Sequence, residues 1–307
     1  MIQKTRQAQC PAQVGIESLD NLWFQLSGTI CNLSCSHCFI SCSPQNDSFG
    51  FMGQKQIRDF VEQGKSLGVK EFYFTGGEPF LNKEIYGILK DTLAVGPATV
   101  LTNGTTIRKR AAQKLKNISD ATIYSLELRV SLDGFDARSN DRLRGSGSFD
   151  SALKGIIALV EASFLPIITA VQTWPDTEHP AILEKFKALL AGIGYTRPRI
   201  KIIPALNLGA YKNMRKDTPD EILVTEEMMV GYDQSQLICS NSRLVTEQGV
   251  YVCPILLDSP EANLGGTLSE SMRPYALTHK TCHTCYRYGA ICSNFSTSAS
   301  EGPPSHK

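Results

Sequence analysis

Leu22-Trp-Phe-Gln-Leu-Ser-Gly28, followed by Cys31-Asn-Leu-Ser-Cys35-Ser-His-Cys38, is the stretch on which the reading of this chain turns. The first segment is a short apolar run ending in glycine, the pattern of a buried strand entering a loop. The second sets three thiols in a C-x3-C-x2-C spacing on that loop. Cysteine thiolates are natural ligands of iron–sulfur clusters. Three such ligands on a cubane leave one iron free to chelate a small molecule. Two other readings stay open on spacing alone. One is a zinc site, although zinc favours paired C-x2-C knuckles and only one such step is present. The other is a fully ligated electron-transfer cluster with Cys42 as fourth ligand.

Working outward, short apolar runs alternate with helix-length amphipathic segments, as in βα units around a parallel sheet. Strands are predicted at Glu71–Phe74, Ala98–Thr102, Leu126–Leu132, Pro166–Gln172 and Arg199–Ile203. Helices are predicted at Gln54–Leu67, Asn82–Leu93, Thr106–Leu115, Phe149–Ala162 (with Ser148 as its cap) and Ala181–Ala191. With the strand before the cysteines, six units predict an α/β fold, a partial (β/α)6 TIM-like barrel. Its site would lie at the C-terminal ends of the strands. The predicted organisation is an N-terminal extension over 1–20, a core over 21–205 and a connector over 206–238. A small C-terminal auxiliary-cluster domain over 239–295 and a disordered tail over 296–307 complete it.

The ten cysteines fall into two groups, five before residue 43 and five after residue 238. A secreted disulfide framework would spread them through a short chain, so two metal sites are the simpler reading. In the second group Cys239 and Cys253 bracket a predicted hairpin about Gln248-Gly249, and Cys282-His-Thr-Cys285 adds a C-x2-C pair. These four can close coordination around zinc or a [4Fe–4S] cluster, and spacing does not choose between them. Cys10 and Cys42 read as unliganded thiols, and Cys292 is left over. His283 reads as exposed, His179, His279 and His306 as surface residues, and Trp23 and Trp174 as core or rim packing.

Lys and Arg number 31 against 30 Asp and Glu, a net charge of +1, so no basic field exists to hold a nucleic acid. A hydrophobic fraction of 42% with 20% charged residues is that of an ordinary globular chain. The most apolar stretch, Ile156–Val171, is broken by Glu161 and Pro166, and the first residues carry no apolar signal segment. The expectation is a protein without a membrane partner, in the cytoplasm.

Together with Thr75-Gly76-Gly77-Glu78-Pro79, about 40 residues downstream, the cysteine spacing resembles the radical S-adenosylmethionine (SAM) superfamily over residues 21–205. The resemblance implies that Cys31, Cys35 and Cys38 hold a [4Fe–4S] cluster whose open iron binds the amino and carboxylate groups of SAM. It puts His37 where the family has an aromatic ring against adenine. Gly76, Gly77, Glu78 and Pro79 match the motif that hydrogen-bonds the methionine ammonium. Ser131-Leu-Asp133-Gly134 followed by Asn140-Asp-Arg-Leu-Arg144-Gly145 is similar to the SLDG…HDxxRG pattern of the branch carrying auxiliary clusters. That similarity implies that Ser131 and Asp133 lie near SAM and Arg144 near its carboxylate, with Asn140 standing where the pattern has histidine. Asn103 is a further SAM contact or a turn residue. The second cysteine group resembles the shortened SPASM domain called twitch. This implies one auxiliary [4Fe–4S] cluster on Cys239, Cys253, Cys282 and Cys285, two clusters in all.

The implied activity begins with an external one-electron donor, such as flavodoxin or ferredoxin. SAM is cleaved to a 5′-deoxyadenosyl radical that takes a hydrogen atom from a substrate. The first expectation is oxidation (dehydrogenation) of a small hydroxylated or amino-sugar-like molecule through the auxiliary cluster. The second is an epimerase with Cys292 as thiol hydrogen donor, and a peptide or protein substrate fits either chemistry. About 30 residues precede Cys31, too few for the leader-peptide-binding domain fused to peptide-modifying relatives, which favours the small molecule. The non-enzyme alternatives are an iron–sulfur electron carrier and a zinc-binding module.

Overall fold

The predicted strands are apolar on both faces, as a parallel sheet covered on both sides requires. In Glu71–Thr75, for example, Phe72, Tyr73 and Phe74 are all buried. The computed structural model describes residues 10–213 and 222–292. Its strands are β1 (Gln13–Val14), β2 (Asn21–Gln25), β3 (Glu71–Thr75), β4 (Ala98–Thr102), β5 (Leu126–Ser131), β6 (Ile167–Gln172), β7 (Arg199–Pro204), β8 (Ser242–Thr246), β9 (Gly249–Tyr251) and β10 (Tyr275–Ala276). Its helices are α1 (Gln54–Ser66), α2 (Ile85–Leu93), α3 (Lys109–Asp120), α4 (Ala137–Arg144), α5 (Ser148–Glu161), α6 (His179–Gly192), α7 (Leu268–Ser271) and α8 (Cys282–Tyr288).

One sheet of eight strands runs β7-β6-β5-β4-β3-β2-β8-β9, parallel throughout except for the β8–β9 hairpin. This is the expected partial barrel, with α-helices on its outer face. Between helices and sheet lies a core that includes Phe24, Phe74, Val100, Leu128, Ile156, Leu159, Ile168 and Phe186. Inside the barrel Trp23 stacks on Tyr73 with ring centroids 4.1 Å apart. No helix among the described residues is long and apolar enough to cross a membrane.

The predicted hairpin forms, but its first strand pairs in parallel with β2, Trp23 opposite Leu244. The C-terminal region thus extends the barrel's own sheet. The N-terminal extension contributes β1, which pairs antiparallel with β10. The connector carries short 3₁₀ turns and buries Leu206, Leu208, Val224 and Leu237. Helix α4 was not expected, because ARSNDRLR has no apolar stripe to read. It starts where the Asp136 carboxylate caps the Ser139 N–H, and it buries Asn140 and Leu143. Ser148 is the first residue of α5 rather than its cap. Gly147, at φ 75°, takes the cap position, and the Ser148 hydroxyl donates to Asp141. The tail expected over 296–307, the last residues of the predicted C-terminal domain and His306 lie outside the described residues.

Candidate functional site

Each predicted motif of the core leaves the C-terminal end of a strand, and they meet around one cavity of about 200 Å³. Cys31, Cys35, Cys38 and also Cys42 line it, with His37, Gly76, Gly77, Asn103, Ser131 and Arg144. The loop after β2 and the turn after β3 are zipped together. The Gly77 N–H donates to the Gly28 carbonyl at 2.9 Å and the Glu78 N–H to the Ile30 carbonyl at 3.1 Å. A Cβ on Gly77 would sit 2.0 Å from the Ile30 oxygen, so only glycine permits this approach. The two glycines therefore hold the turn against the cysteine loop as well as opening its backbone toward the cavity.

Glu78 is fully buried and does not line the cavity. Its carboxylate accepts hydrogen bonds from the Phe80 N–H, the Thr102 hydroxyl at 2.7 Å and the Asn103 N–H at 2.7 Å. Burial raises its pKa, with these three bonds working against the rise. In this structure it ties the end of β3 to the end of β4. Pro79, also buried, opens the short 3₁₀ turn that follows. Asn103 is placed closer to the thiols than its reading as a turn residue asks. Its side-chain amide donates to Asn32 at 2.9 Å and points at the Cys31 sulfur 3.7 Å away.

His37, Asp133 and Arg144 come together from three elements. The Asp133 carboxylate lies 2.8 Å from His37 Nε2 and 2.5 Å from Arg144 Nε, and it accepts from the Val171 N–H at 2.6 Å. Burial alone would raise the Asp133 pKa, but the Arg144 and His37 charges hold it well below the usual carboxylate range. Asn140 supports this group, its side-chain oxygen accepting from the Asp133 N–H at 3.0 Å while its amide donates to Ser148. His37 is thus anchored to a carboxylate, with its Nδ1 edge buried and without a partner. Burial pushes the Cys31 thiol up to about 11, whereas Cys38 falls below the usual thiol range because the Cys42 thiol donates to it.

Cys239, Cys253, Cys282 and Cys285 line a second, smaller cavity of about 20 Å³. Its other walls are Leu237, Ile238, Val252, Ile255, Leu256, Tyr275, Leu277 and Thr281, so sulfur is the only soft donor there. Beside it Arg243 is fully buried, donating to the carbonyls of Ser271, Cys239, Ser242 and Arg273. No carboxylate pairs with it within ion-pair distance among the described residues. A thiolate-ligated centre would supply the missing negative charge, which fits the donor set. Among the described residues no three His, Cys, Asp or Glu side chains are drawn together as a single metal ion requires. The thiols stand instead around the walls of their cavities, and the residues lining the larger one include Trp23, His37, Arg129 and Thr169, each with a buried side-chain polar atom that lacks a protein partner.

Cys292 separates from the other C-terminal cysteines, since it lines the larger cavity. Burial lifts its thiol to about 12. Sequence reasoning missed Arg129, Thr169 and Arg243. Their one signal was a charged or hydroxyl residue inside an otherwise apolar strand, facing the barrel by alternation. Trp23, read as core or rim, forms part of the cavity wall. Cys10 and His283 stay apart from both cavities, Cys10 exposed.

A family model described as the radical SAM superfamily matches residues 26–185. Mycofactocin maturase MftC of Mycobacterium tuberculosis is 32% identical over 178 residues, 57% of this chain and 43% of that protein. The chain thus aligns with less than half the length of this curated relative. The crystal structure of Streptococcus suis SuiB bound to the precursor peptide SuiA aligns with a TM-score of 0.60 at 17% identity, over 81% of this chain and 62% of that one. Native anSMEcpe with bound AdoMet aligns with a TM-score of 0.60 at 17% identity, over 88% of this chain and 83% of that one. At such identities these two likenesses speak for the fold.

Proposed function

The chain belongs to the radical SAM superfamily, and from that premise we propose that it takes a hydrogen atom from a substrate lying between the Cys31 loop and Cys292. Cys31, Cys35 and Cys38 would hold one [4Fe–4S] cluster, and Cys239, Cys253, Cys282 and Cys285 a second. With SAM bound beside it, the first would supply hydrogen-abstracting radical chemistry. Arg144, oriented by Asp133, faces the cavity to meet a carboxylate such as that of SAM. Gly76, Gly77, Asn103 and Ser131 complete that wall.

One observation carries the choice of outcome. Cys292 lines the cavity proposed for the substrate, whereas the four other C-terminal cysteines line the second cavity. An S–H bond is weaker than a typical C–H bond, so a thiol gives its hydrogen atom to a carbon radical downhill. Removal of the substrate hydrogen on one face and its return from Cys292 on the other is epimerisation. The sulfur radical left behind needs one electron and one proton to become a thiol again. Cys292 packs against the buried cluster that contains Cys253 and Cys285, so a centre held by those cysteines would lie near enough to pass on an electron from an external donor. The same proximity favours dehydrogenation as a second reading: a centre held by Cys239, Cys253, Cys282 and Cys285 would supply the electron acceptor, and a base would take the proton. The substrate is a small molecule or a peptide.

The test is turnover in deuterium oxide under dithionite. Epimerisation places one deuterium on the product carbon, and Cys292→Ala loses that deuterium while keeping its iron. A product two hydrogens lighter, with no carbon-bound deuterium, establishes dehydrogenation instead.

A further inference from the structure

Arg129 sits on β5 inside the barrel, 3% exposed, and lines the large cavity from below. Its Nη1 donates to the carbonyl of Cys292. Its Nε has no partner, and no carboxylate lies within ion-pair distance of it among the described residues. The carboxylate that acts on it, Glu71, is engaged by the Tyr73 and Thr99 hydroxyls at 2.5 and 2.6 Å. Cys292 also acts on it, but burial raises the pKa of that thiol and keeps it neutral, so it brings no counter-charge. Arg144, the other arginine in the wall, is already neutralised by Asp133. No Asp or Glu lines the cavity among the described residues.

A buried cation without a counterion is unfavourable, and the imbalance is removed when a ligand brings the negative charge. Two more buried groups share the cavity and lack partners, the Trp23 indole N–H and the Thr169 hydroxyl. Each can donate to an oxygen. With Nη1 held by Cys292, the free edge of the guanidinium is the one carrying Nε, which can meet two oxygens of one oxyanion side-on.

We propose that Arg129, with Trp23 and Thr169, forms an oxyanion subsite for the substrate, whose reacting molecule therefore carries a carboxylate or a phosphoryl group. Resting on the hydrogen-abstraction reading above, this anchors the anion beside Cys292, because Arg129 binds the backbone of that residue. The substrate classes favoured are acids and phosphorylated molecules over neutral sugars.

Equilibrium dialysis tests this with the anaerobically reconstituted full chain, saturated with SAM so that Arg144 is covered. Labelled inorganic phosphate and labelled acetate are compared at constant ionic strength against chloride. One anion is expected to bind once per chain, and the arm that binds more tightly identifies phosphoryl or carboxylate as the source. Arg129→Gln should weaken that binding by about tenfold to a hundredfold, and Arg129→Lys, which keeps charge but loses the fork, by less. Iron content checks that each variant is folded, and Arg129→Lys serves alone if Arg129→Gln is not. Equal binding by wild type and the folded variants, or no binding of either anion by wild type, overturns the subsite. Arg129-dependent binding in a chain that makes no 5′-deoxyadenosine under dithionite would leave the subsite standing and remove the function proposed above. Production of 5′-deoxyadenosine without Arg129-dependent binding does the reverse.

Discussion

The cavity under the Cys31 loop measures about 200 Å³ and is walled by two arginines, a histidine and several buried donors without partners. The cavity under the β8–β9 hairpin measures about 20 Å³, and its walls are aliphatic and aromatic apart from Thr281 and the sulfurs. Both gather cysteines, but only the first has room and polar groups for something besides a cluster. Physical chemistry separates their roles accordingly. A dry, soft-donor pocket backed by the buried Arg243 suits a fully ligated centre that moves electrons. A roomier cavity at the C-terminal strand ends, with a few polar groups set among apolar walls, suits a ligand and a substrate. Cys292 stands on the border, lining the large cavity while it packs against the buried cluster that contains Cys285 of the small one.

The contrast can be broken by substitution, most severely at Asp133. Asp133→Ala leaves Arg144 buried without its carboxylate, and chemical denaturation should show a loss of about 3–5 kcal/mol. A loss below about 1 kcal/mol would mean that Arg144 finds another partner in the large cavity. Because the folded pKa of Asp133 is depressed, its stabilisation is complete above its unfolded pKa of about 4 and declines as pH falls below that. The wild-type chain should therefore lose stability on acidification more steeply than Asp133→Ala does.

Glu78→Gln comes next. Replacing an acceptor of three hydrogen bonds with an amide strands at least one donor, for an expected cost of about 1–3 kcal/mol. A large change in SAM affinity at unchanged stability would instead show that the carboxylate turns toward the ligand. Cys42→Ala is the mildest. It removes a small buried side chain against Cys38, with an expected cost of about 1 kcal/mol and no loss of iron. Loss of a cluster's worth of iron would make the first site fully ligated, like the second, and erase the distinction between them.

The barrel was legible because β-strands and amphipathic helices announce themselves by period, and the first site because cysteine spacing is covalent information. Gly76, Gly77, Asp133 and Arg144 could be named from sequence, but their partners could not. That Glu78 is spent on Thr102 and Asn103, or that Asp133 bridges His37 and Arg144, depends on where neighbouring strands end. Helix α4 carries no apolar stripe and is set by the Asp136 cap, so periodicity passed it over. Arg129 and Arg243 were invisible for a different reason. A lone arginine in a strand reads as an edge or solvent residue until the folded sheet shows that its side chain is buried.

Formation of 5′-deoxyadenosine after dithionite reduction tests the division of labour most directly, measured in two reciprocal variants. In one, Cys31, Cys35 and Cys38 become Ala; in the other, Cys239, Cys253, Cys282 and Cys285 do. The account predicts that each variant keeps about half of the wild-type iron, since each retains one of two four-iron centres. Only the second should still cleave SAM. Cleavage by the first variant, or its loss from a folded second variant that still holds iron, would contradict the assignment of the large cavity as the site of SAM chemistry.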